Sequence, residues 1–395
     1  MTSPADRQAT LTKQRNLKMA RSSHAYVRGN TVQFYEWLAA LKSGALPEGP
    51  AIWICGDCHV GNLGPIANAN GRIQVQIRDL DQTVIGNPAH DLIRLGLSLA
   101  SAARGSDLPG VTTARMIENM IEGYEAAFQP DWDGEDNEEV PESVRAAIRQ
   151  SRLRTWKHLA KERIENARPK IPMGKRFWPL RDDERAEIAA LFGDPTLKDL
   201  VTSLRSRDDD APVKFVDAAY WMKGCSSLGL LRYAVLLSVG KKGRDRSYCL
   251  MDIKEGANAA APHYLGVEMP KREGERIVEG ARHVSPFLGQ RMRAAKLGSK
   301  SVFIRELLPQ DLKLEVESLT SDEAVRTARY LATVVGHAHA RQMSAASRKD
   351  WQADLMKNRS KTLDAPSWLW SSIVTLLASH EHGYLEHCRK FALTA

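Results

Sequence analysis

The chain has 395 residues of which 43% are hydrophobic, enough for two or three compact units with real cores and unlike a disordered protein. No apolar run reaches the length of a membrane span, no hydrophobic signal region opens the chain, and five scattered cysteines suggest no disulfide framework, so a cytoplasmic protein is expected. The net charge of +8 is modest and local: residues 141–177 hold eleven Lys/Arg against three Asp/Glu, and the rest is close to neutral.

Residues 5–42 read as two helices around a break at Arg21-Ser22-Ser23-His24, with Phe34, Trp37, Leu38 and Leu41 at core-facing helical spacing. Arg28 lies where the chain turns, either within reach of a phosphate or as a structural guanidinium. Ala51 to Ile54 predicts a short buried strand, which opens into Cys55-Gly56-Asp57-Cys58-His59-Val60-Gly61-Asn62. A second alternation, Ile73-Val75-Ile77, delivers Asp79 and Asp81, and Gly86-Asn87-Pro88-Ala89-His90-Asp91 follows. Two strand-end loops thus present carboxylates and a carboxamide, the hard oxygen donors that suit Mg²⁺ and the phosphates it carries. The plainer alternative is a pair of Asp-rich turns capping strands.

Leu92 to Ala103 and Thr112 to Phe128 predict apolar helices, followed by an acidic loop at 131–136. A basic helix is expected from about Pro141 to Ala167, read as a solvated face with an anion-binding surface as the alternative. The charged stretch 205–211 marks a domain boundary, beyond which the pattern becomes strand-like. Strands are expected at 215–222, 232–237 and 248–254, with a glycine-containing loop, Gly224 to Gly229, after the first and Lys254 at the end of the third. A protein kinase covers ATP phosphates and presents its phosphate-binding lysine in this way. Ser226 replaces the middle glycine, Ser227 follows it, and Leu230-Leu231 exclude a Walker A loop. Glu275 and Glu279, on a helix from Gly274 to Val284, are candidate ion-pair partners of Lys254. A strand at 301–307 and a helix from Ser321 to Arg341 follow, the helix ending His337-Ala338-His339-Ala340-Arg341.

The run Gly56-Asp57-Cys58-His59 with Asn62, followed by Asp79, Asp81 and Asp91, resembles the catalytic and metal loops of the aminoglycoside phosphotransferases and choline kinases. That resemblance implies Asp57 as base, Asn62 and Asp79 as metal ligands, Asp81 as a possible second ligand, and His59 and Asp91 in support. Lys254 with Gly224, Ser226, Ser227 and Gly229 would hold the nucleotide. In those kinases a helix with a His-containing end precedes the catalytic strand, whereas here the helix carrying His339 and Arg341 lies far after it. A circular permutation is the implied explanation. Across nearly its whole length the chain also resembles a bacterial family of domains of unknown function, the one numbered 2252, through Tyr26-Val27-Arg28-Gly29, Asp79-Leu80-Asp81, Arg94-Leu95, Ile253-Lys254-Glu255 and Ala338-His339-Ala340-Arg341.

The expectation is an α+β, two-lobed, permuted kinase-like fold. Residues 1–210 and 315–395 would build a helix-rich catalytic lobe, and 211–314 a β-rich nucleotide lobe. The expected activity is ATP- and Mg²⁺-dependent phosphoryl transfer to a small-molecule hydroxyl. A nucleotide-binding pseudokinase or regulator, a nucleotidyl transferase on the same site and a nucleic-acid binder are the rivals. Cys55-Gly56-Asp57-Cys58-His59 also spells the haem-attachment pattern Cys-x-x-Cys-His.

Overall fold

The computed structural model describes residues 6–129, 140–154, 170–204, 206–224, 228–241, 246–314, 319–357, 359 and 364–391. Three small helices, Arg7–Met19, Ser23–Gly29 and Thr31–Ala39, occupy the segment expected to hold two. The additional break falls at Asn30, whose side chain accepts from the Gln33 N–H and caps the third helix. Two short antiparallel pairs follow: β1 (Ile52–Ile54) with β4 (Val84–Gly86), and between them in sequence the hairpin β2 (Leu63–Ala67) with β3 (Ile73–Ile77). The chain therefore passes twice from a strand into a loop at one place, once after β1 and once after β3.

The larger sheet is antiparallel in the order β5-β6-β7-β8-β10-β9, with β5 at Phe177–Trp178, β6 at Val213–Trp221, β7 at Arg232–Val239, β8 at Ser247–Glu255, β9 at Met292–Leu297 and β10 at Lys300–Glu306. Strict alternation assigns its faces. Ala219, Trp221, Ala234, Leu236 and Leu250 pack on one side, and Ala218, Tyr220, Val235, Leu237, Met251 and Ile253 on the other. The second face is covered by helices Asp182–Leu191 and Pro195–Thr202 and by Leu11 of the first helix. The boundary expected at 205–211 is thereby displaced: Phe177–Trp178 pairs with β6, so the sheet unit begins well before it. A two-residue strand carries no periodicity from which this pairing could be read. The edge strand β9 was not expected either, because Arg293 and Lys296 interrupt its apolar pattern as charges on an exposed sheet edge commonly do.

The helical core is built on Pro88–Gly105, buried almost all round, and on helices Gly110–Ala126 and Ser321–Ala340, which lie against each other. Their approach depends on two missing side chains. A Cβ at Gly123 would stand 2.3 Å from the Arg329 carbonyl oxygen, and one at Gly336 would stand 2.7 Å from that of Tyr124. Helix Ser367–Phe391 packs on the outer side of Pro88–Gly105. The chain is thus α+β as expected. Of the anticipated basic helix, Glu142–Leu153 is helical, while the rest and the acidic loop 131–136 lie outside the described residues. Among the described residues no helix is long and apolar enough to cross a membrane.

Candidate active site

The loop after β1 is held from behind by a buried relay. Asp91, at the start of helix Pro88–Gly105, accepts the backbone N–H groups of Cys55 at 2.7 Å and Gly56 at 2.9 Å. His339 Nε2 stands 3.2 Å from Asp91 Oδ2, the Tyr124 hydroxyl lies 2.8 Å from His339 Nδ1, and Trp351 Nε1 donates to that hydroxyl at 3.1 Å. A neutral imidazole with its proton on Nε2 satisfies every member, because Trp351 donates to Tyr124, Tyr124 to His339 and His339 to the carboxylate. Asp91 and His339 are both fully buried, so the relay fixes the loop rather than contacting a ligand. Gln342 completes the link: its amide nitrogen donates to the Trp53 carbonyl and its oxygen accepts the Trp53 N–H, both at 2.9 Å. Arg341 lines the same groove as Ala51, Ile52 and Trp53, the proximity expected between the end of this helix and β1.

Tyr124→Phe is expected to cost about 2–6 kcal/mol, because it strands the Trp351 N–H and one His339 nitrogen in a dry interior at about 1–3 kcal/mol each. Urea unfolding with an unchanged denaturant slope is the measurement. A loss below 0.5 kcal/mol would show that the relay does not hold the loop.

In front of this frame, Asp57 is 7% exposed. Its Oδ1 accepts from Arg94 Nε at 2.9 Å, and Oδ2 lies 3.9 Å from His59 Nε2. Burial raises its pKa above the usual carboxylate range, opposed by the Arg94 charge and hydrogen bond. Asn62 donates its amide to the Asp57 carbonyl at 3.0 Å, which turns its own side-chain oxygen away from that bond. Gly56 needs its glycine: φ is +74°, and a Cβ would sit 2.1 Å from the Gln82 carbonyl oxygen. Cys55 and Cys58 point into the core, where their contact with each other and burial hold the Cys55 thiol well above its ordinary pKa.

The loop after β3 brings Asp79 and Asp81 to Lys254 on β8. Lys254 Nζ lies 3.1 Å from Asp79 Oδ1, and 2.8 and 2.6 Å from the two oxygens of Asp81. Residues separated by about 175 positions thus meet directly, with the Asp79 side chain half-exposed. Burial opposes the charge of Asp79, but Lys254, the hydrogen bond with Asp81 and the charges of Arg305 and Arg232 together hold Asp79 well below the usual range. For Asp81, burial and the adjacent Asp79 charge push the pKa up to about 6.

Two expected partners are corrected. Glu275 pairs with Arg272 at 3.3 Å, and Glu279 with Arg282 at 3.0 Å and His283 at 3.3 Å, all along the outer side of helix Glu273–Val284. Lys254 instead takes its counter-charges from the Asp79 and Asp81 loop. The buried face of that helix carries one charged side chain, Arg276, which donates to the backbone carbonyls of Thr83, Asp81 and Ala257. From the sheet, Arg305 reaches the Arg78 carbonyl at 3.0 Å while paired with Asp252, itself held below its usual range by Arg232 and Arg305 against burial. Arg276 and Arg305 were not anticipated. For Arg94 a signal existed: a single arginine inside the apolar run Leu92 to Leu99 requires a buried counter-charge.

Gly224 and Gly229 have φ of +103° and +114°, conformations that favour glycine, at the two ends of the expected phosphate loop. Lys18 of the first helix donates to the Gly224 carbonyl at 2.9 Å. Ser226 and Ser227 lie outside the described residues. Arg28 packs its guanidinium on the backbone at Gly61, where a Cβ would stand 2.7 Å from Cζ.

Among the described residues no three His, Cys, Asp or Glu side chains form a ready-made metal cluster. The donors present are two carboxylates and the Asn62 oxygen. That set fits Mg²⁺, which takes one or two carboxylates and completes its shell with water and phosphate oxygens.

The chain belongs to the bacterial family described as "uncharacterized protein conserved in bacteria" (DUF2252), whose profile matches residues 7–390. No curated protein and no solved structure gives a significant match.

Proposed function

We propose that the protein is an ATP- and Mg²⁺-dependent phosphotransferase with a circularly permuted, two-lobed kinase-like fold and a small-molecule acceptor. The observation that carries this reading is the meeting of Lys254, from the third of a run of antiparallel strands, with Asp79 and Asp81 next to the Asp57–Asn62 loop. Kinases use a strand lysine on the nucleotide phosphates and a strand-end aspartate on the metal, and Gly224 and Gly229, both at positive φ ahead of β7, suit a phosphate cover. Helix Ser321–Ala340 ends against β1 through Gln342, so a cut and rejoined surface connection accounts for the inverted order of the two units.

In this reading Asn62, Asp79 and Asp81 would hold Mg²⁺, which supplies charge neutralisation on the transferring phosphoryl oxygens. Lys254 positions the phosphates and Asp57 Oδ2 accepts the proton of the acceptor hydroxyl. Arg94 holds the other Asp57 oxygen and so fixes the direction of the base. Catalysis is then chiefly positioning and charge stabilisation.

A thermal-shift titration tests the reading without an acceptor. ATP with Mg²⁺ at 100 times its dissociation constant should stabilise the native state by about 2.7 kcal/mol, which for a chain of this size is a rise of a few degrees in Tm. ATP without Mg²⁺ should give a smaller shift. No shift at millimolar ATP and Mg²⁺ would remove the main support for the proposal.

A further inference from the structure

Around His59, which lies 3.9 Å from Asp57, the fold gathers basic side chains of which the proposed phosphoryl transfer uses only Arg94. His24 and Arg28 are four residues apart on helix Ser23–Gly29 and so share one face, while Tyr26 of the same helix packs away against Tyr384 and His387. Arg28 reaches the backbone at Gly61, inside the catalytic loop, because no side chain blocks it there. Lys313, which is exposed, comes from the strap alongside β2, where the Leu314 N–H lies 3.4 Å from the Leu63 carbonyl.

Four buried polar atoms in this group have no hydrogen-bond partner: His24 Nδ1, Arg28 Nε, His59 Nδ1 and Arg94 Nη1. His59 is 4% exposed and Arg94 fully buried. Native proteins pair nearly all such atoms, so several orphans in one place point to a ligand that completes them. The charge of the place gives the sign of that ligand. Burial, then the charges of Arg28 and Lys313, depress the pKa of His24 to about 4, and burial, Arg28, Arg94 and His24 act in the same direction on His59. Arg28, Lys313 and Arg94 act on His24, and Arg28 and Arg94 act on His59 against the charge of Asp79, a surplus of positive charge that an oxyanion would offset.

We propose that the phosphoryl acceptor is itself an oxyanion, a hydroxyl compound bearing a phosphate or carboxylate group that Arg28, His24, His59 and Lys313 hold beside Asp57. This inference rests on the phosphotransferase reading for the word acceptor, but the anion site does not need turnover to be observed. Arg28 supplies charge-assisted hydrogen bonds and Lys313 a point charge at the rim. The acceptor's hydroxyl is thereby presented to Asp57.

Calorimetric titration of the full-length protein with inorganic phosphate tests this, with and without saturating Mg²⁺ and a non-hydrolysable ATP analogue. Phosphate should bind in both conditions, and Arg28→Gln should weaken it by about ten-fold or more, the loss expected for a charge-assisted contact. Lys313→Gln, at an exposed position, should weaken it by a few-fold through the same field. Affinity for the ATP analogue should be unchanged in both variants. Absence of phosphate binding to the wild type overturns the inference, as does phosphate binding indifferent to both substitutions. Mutual exclusion of phosphate and the ATP analogue also overturns it, since the cluster would then belong to the nucleotide site. Phosphate binding that depends on Arg28 in a protein that fails to bind the analogue would sustain the anion site and sink the phosphotransferase reading instead.

Discussion

Asp57→Asn is expected to reduce phosphoryl transfer by about 10²–10⁴-fold, the range associated with loss of a general base, while Mg²⁺-nucleotide affinity stays within about two-fold of wild type. The isosteric amide can still accept from Arg94, whose bond to Oδ1 is 2.9 Å, so the loop keeps its shape. Asp57→Ala removes that acceptor and leaves a fully buried guanidinium without its counter-charge, a change that costs about 3–5 kcal/mol when a buried pair is broken. The two variants thus separate chemistry from folding. Asp79→Asn should behave differently, lowering Mg²⁺-dependent nucleotide affinity by at least about ten-fold, because a full charge facing the cation is lost. Lys254 keeps its contacts of 2.6 and 2.8 Å to Asp81, so this variant should still fold. Equal loss of nucleotide affinity in both Asn variants would mean that the two carboxylates have exchanged roles. Full turnover in either would place the chemistry elsewhere.

What the sequence disclosed about this site was the loops, and what it withheld was the partners. Asp57 and Asn62, Asp79 and Asp81 are close in sequence within strand-end loops, so the alternation of β3 and the glycines around Asp57 were enough to find them. Lys254 was legible because it ends a strand. Its counter-charge was not, since Glu275 and Glu279 lie on a helix of suitable position but face outward, and only the tertiary fold brings the Asp81 loop under β8. Residues that act on backbone atoms are invisible for a similar reason. Arg276 binds three carbonyls, and a carbonyl leaves no mark in the residue pattern. Tyr124 and Trp351 read as ordinary core aromatics, because their polar ends meet His339 from two helices distant in sequence. The sheet was legible where largely apolar strands ran for eight or nine residues, as in β6, β7 and β8, and not at β5, which is two residues long.

Acid is expected to unfold this protein well before most of its carboxylates titrate. His24, His90 and His380 each have their pKa lowered from 6.5 to about 4, in every case by burial first. The native state keeps these rings neutral, whereas the unfolded chain takes up protons as the pH falls through 6.5. Their folded values are depressed, so the stability they contribute is complete above pH 6.5 and is lost progressively down to about pH 4. For one such ring the loss at pH 5 is about 2 kcal/mol, so three amount to about 6 kcal/mol, against a total stability on the order of 5–15 kcal/mol. His59, held well below its ordinary value by burial and by Arg28, adds in the same direction. Urea midpoints should therefore fall steeply between pH 7 and pH 5, with a slope corresponding to about three protons bound on unfolding. His380→Gln isolates one of the three. His380 is fully buried, its Nδ1 lies 3.0 Å from the Leu376 carbonyl and its Nε2 has no partner, so an uncharged amide can keep the donor and lose the titration. The variant should lose some stability at pH 8 and show a slope about one proton smaller between pH 6.5 and 5. A wild-type stability that is flat across that window would show that these histidines are not shielded from solvent in the native state.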